Sequence, residues 1–186
     1  MLINVINLQR RPDRKLSIIQ HFDKLNLLYK FWDGYDDRSI LGFKNVSQSH
    51  KSVVRDAKNK NLELVAIAED DTRFSHQNSM DVFLKKAPKD FDLYFGMIYS
   101  GNIQDDRITH GFSGMQFYVI HSRFYDTFLS ADPNKHIDTW LGERCHEYQY
   151  YVCDPFICYG ESGYSDNFKK QWVLEEEKLP RNIYRG

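Results

Sequence analysis

The chain has 186 residues, 41% of them apolar, with 13 Phe, 12 Tyr and 3 Trp. That is material for one well-filled core, and it excludes both wholesale disorder and a pair of full domains. The 25 Lys and Arg balance 26 Asp and Glu, and a net charge of -1 gives no broad field for gathering nucleic acid or an anionic membrane. No run approaches the roughly 20 apolar residues of a membrane span, and the N-terminus has no signal-peptide pattern. Three cysteines, Cys145, Cys153 and Cys158, are too few for a disulfide framework. A cytoplasmic chain with reduced thiols is expected. A zinc site built from those cysteines and His146 would lack a paired C-x₂-C spacing, so the thiols read as buried.

Apolar periodicity then divides the chain into alternating strands and helices. Leu2 to Leu8 reads as a strand buried on both faces. Pro12 and Asp13 suit a helix start, and Ile18, Phe22 and Leu25 line its inner face. A short strand near Tyr29 to Trp32 leads through a turn-rich segment, 33–42, to a helix whose face carries Val46, His50, Val53, Val54 and Ala57. Leu62 to Ala68 is a second apolar strand. A helix near Met80 to Lys86, a strand from Phe91 to Tyr99, a polar loop from Ser100 to His110 and a strand from Gly114 to Ile120 follow. Ser122 is placed to cap a helix bearing Phe124, Tyr125, Phe128 and Leu129, and a further helix after Pro133 buries Ile137, Trp140 and Leu141. Tyr150 to Tyr159 returns as extended chain, and 167–186 reads as a peripheral C-terminal helix or arm. The alternation argues a single α/β domain over 1–186, with a mostly parallel central sheet flanked by helices.

The sharpest chemical feature is Val65-Ala66-Ile67-Ala68-Glu69-Asp70-Asp71, an apolar strand that delivers three carboxylates at its C-terminal end, where open α/β sheets bind ligands. At period 2, Glu69 and Asp71 project to one side and Asp70 to the other. Such an oxygen pair suits Mg²⁺ or Mn²⁺ bridging a diphosphate. Taken alone, the three acids are also compatible with a solvated strand end. The turn after the first strand holds Arg10, Arg11 and Arg14 around Pro12 and Asp13, and guanidinium forks recognise phosphate; an exposed basic turn paired with Asp13 is the plainer alternative. His50, among valines and alanine, reads as a hydrogen-bonded core histidine. His136-Ile137-Asp138 offers a base near a helix start. No G-x-S-x-G, Walker A or G-x-G-x-x-G motif is present.

Taken together, Ile6-Asn7-Leu8 with Arg10-Arg11-Pro12-Asp13-Arg14, then Ser49-His50, then Ala68-Glu69-Asp70-Asp71-Thr72-Arg73-Phe74 resemble glycosyltransferase family 25. That group includes bacterial lipooligosaccharide galactosyltransferases and collagen hydroxylysine galactosyltransferases. Weaker echoes are Gly111 to Ile120, Asp138 before Trp140-Leu141, and Ser165-Asp166. The resemblance implies a GT-A-type nucleotide-sugar-binding α/β sandwich and transfer of a hexose, galactose or glucose, from a UDP-sugar to an acceptor hydroxyl with inversion. It implies donor contacts from Asn7, Leu8, Arg11, Arg14, Ser49, His50, Glu69 and Asp70. It also implies Mn²⁺ or Mg²⁺ on Asp71 and Glu69, and a catalytic base at Asp138, with His136 next. Expected partners are the nucleotide-sugar donor and a glycan or hydroxylated protein acceptor; a homodimer is compatible. The chain is shorter than typical members and carries Asn45-Val46 where the family has Gly-Cys, so differences are expected on the acceptor side. The other readings are a noncatalytic nucleotide-sugar or glycan binder, and a transferase acting on nucleobases in DNA, which the neutral charge disfavours.

Overall fold

The computed structural model describes residues 1–186. The first strand, β1 (Ile3–Asn7), is followed by helix α1 (Pro12–Lys24), β2 (Tyr29–Asp33), α2 (Gly42–Asn59) and β3 (Leu64–Glu69). Pro12 opens α1 where its missing N–H costs nothing, and the buried side chains Ile18 and Phe22 hold the helix to the core. Both long helices end in the same way. Asn26 and Asn61 take left-handed backbone, with φ of 52° and 53°. The following Leu27 and Leu62 return their N–H groups to Phe22 and Ala57 carbonyls, which is the Schellman arrangement that reverses the chain into the next strand.

The remaining elements are β4 (Thr72–Phe74), α3 (Ser79–Lys86), β5 (Leu93–Phe95), β6 (Ser100–Gln104), β7 (Arg107–Ser113), β8 (Phe117–His121), α4 (Tyr125–Leu129), α5 (Ile137–Gly142), β9 (Tyr150–Val152), β10 (Cys158–Gly160), β11 (Gly163–Ser165) and β12 (Lys170–Trp172). Eight strands form one sheet in the order β2-β1-β3-β8-β5-β9-β7-β6. β1 runs parallel to β2 and β3, and β9 runs parallel to β5, whereas β8 and β7 are antiparallel to their neighbours. The sheet is therefore mostly parallel in strand direction, with only β8 and β7 reversed, and helices flank it. Forty buried apolar residues form a single core cluster. No helix is long and apolar enough to cross a membrane.

Several elements differ from expectation. The polar loop at 100–110 is the β6–β7 hairpin, turned by Asp105 and Asp106 with φ of 49° and 63°. Positive φ at both positions matches the twist of paired strands. The strand expected over 91–99 is regular only at β5, and the one expected from Gly114 begins at Phe117, because Gly114 has φ of 97°. The extended stretch 150–159 is interrupted at Pro155, which has no N–H for a ladder, and splits into β9 and β10. His121, not Ser122, caps the turn leading into α4, its ring accepting from Arg123 N–H at 3.2 Å. In the C-terminal segment β12 pairs with β11 as a hairpin and only Glu176–Lys178 takes a single 3-10 turn, while Tyr164 O and Asp166 reach back to the arginines that follow β1.

Candidate active site

β3 carries Val65 to Ala68 into the core, and regular strand stops at Glu69, so Asp70 and Asp71 sit in the tight turn to β4. Glu69 N–H donates to Gln116 O at 2.8 Å, and Glu161 N–H donates to Asp71 O at 2.7 Å. Thr72 Oγ1 donates to Gln116 O at 2.6 Å. The acids are thus fixed by backbone pairing to the segment before β8 and to the chain after β10.

Each carboxylate has a different environment. Asp70 is buried, accepting from Asn7 Nδ2 at 2.7 Å and from Arg14 Nη1 at 2.8 Å. Burial pushes its carboxyl up, against the opposing pull of Arg14 and Asn7. Asp71 Oδ2 takes a longer bond from Arg14, 3.2 Å, while its Oδ1 is buried with no partner. Burial, and after it the nearby Glu69, raise the Asp71 carboxyl to about 7. Glu69 lies 3.4 Å from His50 Nε2, and His50 Nδ1 is 2.8 Å from the Tyr118 hydroxyl. His50 is a core histidine whose Nε2 edge lies beside Glu69; a Tyr118 hydroxyl donating to Nδ1 would leave the proton on Nε2, toward the carboxylate.

Two cavities meet at this turn. The first, about 450 Å³, is walled by Ile6, Leu8, Arg10, the Tyr35–Arg38 segment, Asp70 and β11 residues. The second, about 360 Å³, is walled by Phe43, Gln116, His136, Asp138, Phe168 and Trp172. Arg14, Val46, His50, Glu69, Asp71, Ser165 and Asn167 line both. Glu69 and Asp71 therefore face the second cavity together, while Asp70 faces only the first. Asp138 holds its carboxylate with Gly114 N–H at 3.1 Å and Thr139 N–H at 2.8 Å. His136 stacks on Phe43, ring centroids 4.6 Å apart.

Of the residues singled out in the sequence, Leu8, Arg14, Ser49, His50, Glu69, Asp70 and Asp71 line the first cavity. His136 and Asp138 join Glu69, Asp71, His50 and Arg14 around the second. Two stand apart from the walls. Asn7 is buried and acts through Asp70 and Arg11 O. Arg11 lines neither cavity, because Asp13 and Asp166 hold its guanidinium. Arg10, which pairs with Asp36 and with the same Asp166, lies on the wall instead. Sequence reading placed Arg10 in the basic turn and Asp166 in a weak family echo without giving either a donor contact, and it missed Gln116, Phe168 and Trp172. The pairing of Asp166 with its arginines, more than 150 positions away, has no local signal.

The acid pair fits a hard divalent cation. Asp71 Oδ1 is a buried, unpaired oxygen beside a second carboxylate, and such cations are held by one or two carboxylates together with substrate phosphates and water. No group of three or more His, Cys, Asp or Glu converges here, so the protein supplies only part of a coordination shell.

Several solved structures share this architecture. A197 from STIV matches with a TM-score of 0.53 and 14% identity, over 94% of this chain and 93% of that one. A glycosyltransferase involved in the glycosylation of the major capsid of PBCV-1 matches at 0.51 with 8% identity, over 83% and 81%. A mutant Drosophila beta-1,4-galactosyltransferase 7, in complex with manganese, UDP-Gal and xylobiose, matches at 0.53 with 8% identity, over 97% and 80%. The fold is of the GT-A type. At these identities the likeness establishes the fold and places no individual residue. No protein-family model matches the chain, and no curated protein does.

Proposed function

We propose that the chain is a metal-assisted glycosyltransferase, of the family 25 kind its motifs resemble, moving a hexose from a UDP-sugar to an acceptor hydroxyl with inversion. The observation that carries this reading is the pair Glu69 and Asp71 at the C-terminal end of β3. Both face one cavity, and a buried Asp71 oxygen lacks any partner. The GT-A-type fold and its glycosyltransferase neighbours support it.

Asp71 and Glu69 would hold Mn²⁺ or Mg²⁺, which when bound supplies positive charge against that developing on a departing diphosphate. The first cavity takes the nucleotide end, with Leu8 and Tyr35 as apolar and aromatic walls and Arg10 and Arg14 as the cationic ones. Arg11 reaches that anion only by leaving Asp166. Asn7 and Arg14 keep Asp70 in place, and His50, backed by Tyr118, keeps Glu69 turned to the cavity. Asp138, which lines the second cavity with Glu69 and Asp71, is the base that accepts the acceptor hydroxyl proton. Its two backbone N–H bonds orient the carboxylate.

The deciding experiment is a panel of UDP-, GDP-, CMP- and TDP-sugars, with and without Mn²⁺, read by thermal shift and by sugar release. One UDP-sugar should stabilise the chain only with metal and be slowly hydrolysed; at about 100 times its Kd the gain is about 2.7 kcal/mol. Stabilisation without any hydrolysis identifies a noncatalytic binder instead, and no response to any donor removes the nucleotide-sugar reading.

A further inference from the structure

Exposed large apolar side chains gather at two ends of the central sheet. Leu2, Leu28, Leu62 and Leu64 stand where β1, β2 and β3 begin. The lysines that close α2 at that end, Lys58 and Lys60, are neutralised by Asp126 and Asp56. At the other end Ile40, Leu41 and Phe168 are exposed around the cavities, Ile40 lining the first and Phe168 the second.

These three residues come from two segments that touch. A β-carbon on Gly42 would fall 2.8 Å from Asn167 O, so the chain entering α2 lies against the turn of the β11–β12 hairpin. Leu41, 61% exposed, and Phe168, 55% exposed, each stand one position from that contact. A single exposed apolar side chain needs no explanation, whereas a group on two adjoining turns marks an interaction surface. Tyr35 and Tyr164, also exposed, line the first cavity beside them, and tyrosine suits a boundary between water and lipid.

Charge separates this end from the other. Arg38, Lys169 and Lys170 are exposed in the same two segments and pair with no carboxylate, because the acids beside them are taken. Asp36 is held by Arg10, Asp166 by Arg10 and Arg11, and Asp37 by the N–H and hydroxyl of Ser39. Lys170 Nζ lies 5.7 Å from the Phe168 ring centroid. The acidic run Glu175–Glu177 falls beyond β12, and its first two carboxylates are paired with Lys178 and Arg185. The rim thus carries a local positive excess on a chain whose net charge is -1. Three apolar side chains on two narrow turns fall short of the roughly 800 Å² per partner that a stable protein interface buries. Apolar tips ringed by free cations instead match an anionic bilayer, where the tips enter the acyl boundary and the cations meet lipid phosphates.

We propose that the rim formed by 38–41 and 167–170 docks the chain on an anionic membrane surface, with Ile40, Leu41 and Phe168 entering the lipid and Arg38, Lys169 and Lys170 among its headgroups. The mouths of both cavities then face the bilayer. Docking of this kind holds whether or not the chain transfers sugar.

The test is sedimentation of the full chain with vesicles of phosphatidylcholine alone and of phosphatidylcholine with phosphatidylglycerol. Binding should need the anionic lipid and weaken as salt rises. Lys170→Gln should lower it about fivefold, the scale of one basic residue at an anionic surface, and Leu41→Ser about tenfold, the scale of one leucine partly withdrawn from water. Neither residue lines a cavity. Leu41 is the N-cap of α2 with extended backbone, where serine caps better, so circular dichroism should show both variants folded. Leu28→Ser, at the far end of the sheet, should bind as the parent chain does. Absent binding, equal binding to both vesicles, binding unchanged in Leu41→Ser and Lys170→Gln, or loss in Leu28→Ser alone overturns the proposal. So does self-association that depends on Leu41 without vesicle binding, which would make the rim a contact with a second copy.

Discussion

Asp71 has the most to reveal among single residues. Its carboxyl, raised to about 7 in the folded chain, titrates near 3.9 when unfolded, so the folded chain binds this proton more tightly. Its stabilising contribution is complete below the unfolded value and is lost as pH rises through about 7. In metal-free protein the melting temperature should fall between pH 5 and 7.5, and Asp71→Asn should flatten that fall; parallel curves would locate the titration elsewhere. Mn²⁺ should reverse the effect in the parent chain only. Asp71→Ala should abolish transfer and Mn²⁺-dependent donor binding while leaving the fold intact, whereas an equal loss of thermal stability would make the residue structural. Asp138→Asn should keep donor binding and lower turnover by about 10²–10⁴-fold, the usual scale for a lost general base; turnover preserved in that variant dismisses it as the base. The acids were readable in the sequence because they stand at an abrupt change from apolar to charged chain, and His136 with Asp138 because they stand at a helix start. Gln116 and Trp172 were not, since nothing local marks a buried amide or indole as unpaired.

At the scale of elements, the matched ends of α1 and α2 are the most exposed to test. Asn26 and Asn61 hold left-handed backbone that a β-carbon disfavours by about 1–2 kcal/mol, and asparagine tolerates it better than most. Asn61→Ala should cost about 1 kcal/mol in urea unfolding and Asn61→Gly close to nothing; equal losses would show that the side chain itself is used. The β11–β12 hairpin is held differently, by charge. Asp166 receives both Arg10 and Arg11, and Tyr164 O receives Arg14 Nη2 at 2.9 Å. Asp166→Asn should speed hydrogen exchange and proteolysis within 163–172 without lowering protection in β1 or β3. Periodicity found β1, α1, α2 and β3 because each buries a regular apolar face. It missed the β6–β7 hairpin, where Ser100, Asn102 and Gln104 alternate with only Ile103 as an apolar mark, and it could not orient a hairpin whose partners are arginines at the other end of the chain.

For the molecule as a whole, sheet order matters more than sheet content. β9, near residue 150, pairs between β5 and β7, so the eight-stranded sheet is assembled from both halves of the chain. The acids in turn depend on Gln116 O and on Glu161 N–H. The resemblance to a GT-A sandwich was legible from the order of three short motifs, whereas the inversion of β8 within the sheet was not, since a strand's direction is a property of its neighbours. The carboxylates and Arg14 meet at the C-terminal ends of β1 and β3, in the interior of this mixed sheet.

The contact between Asp166 and the first arginines also sets a schedule for synthesis. Chains are made from the N-terminus, so the residues of β1, α1, β3 and the three acids are synthesised while Gly163–Trp172 is still unmade. Through that interval Arg10 and Arg11 lack Asp166, and one wall of each cavity is missing. Closure of both cavities is thereby deferred until nearly all of the polypeptide has been translated, and a prematurely terminated product has the acids without that enclosure.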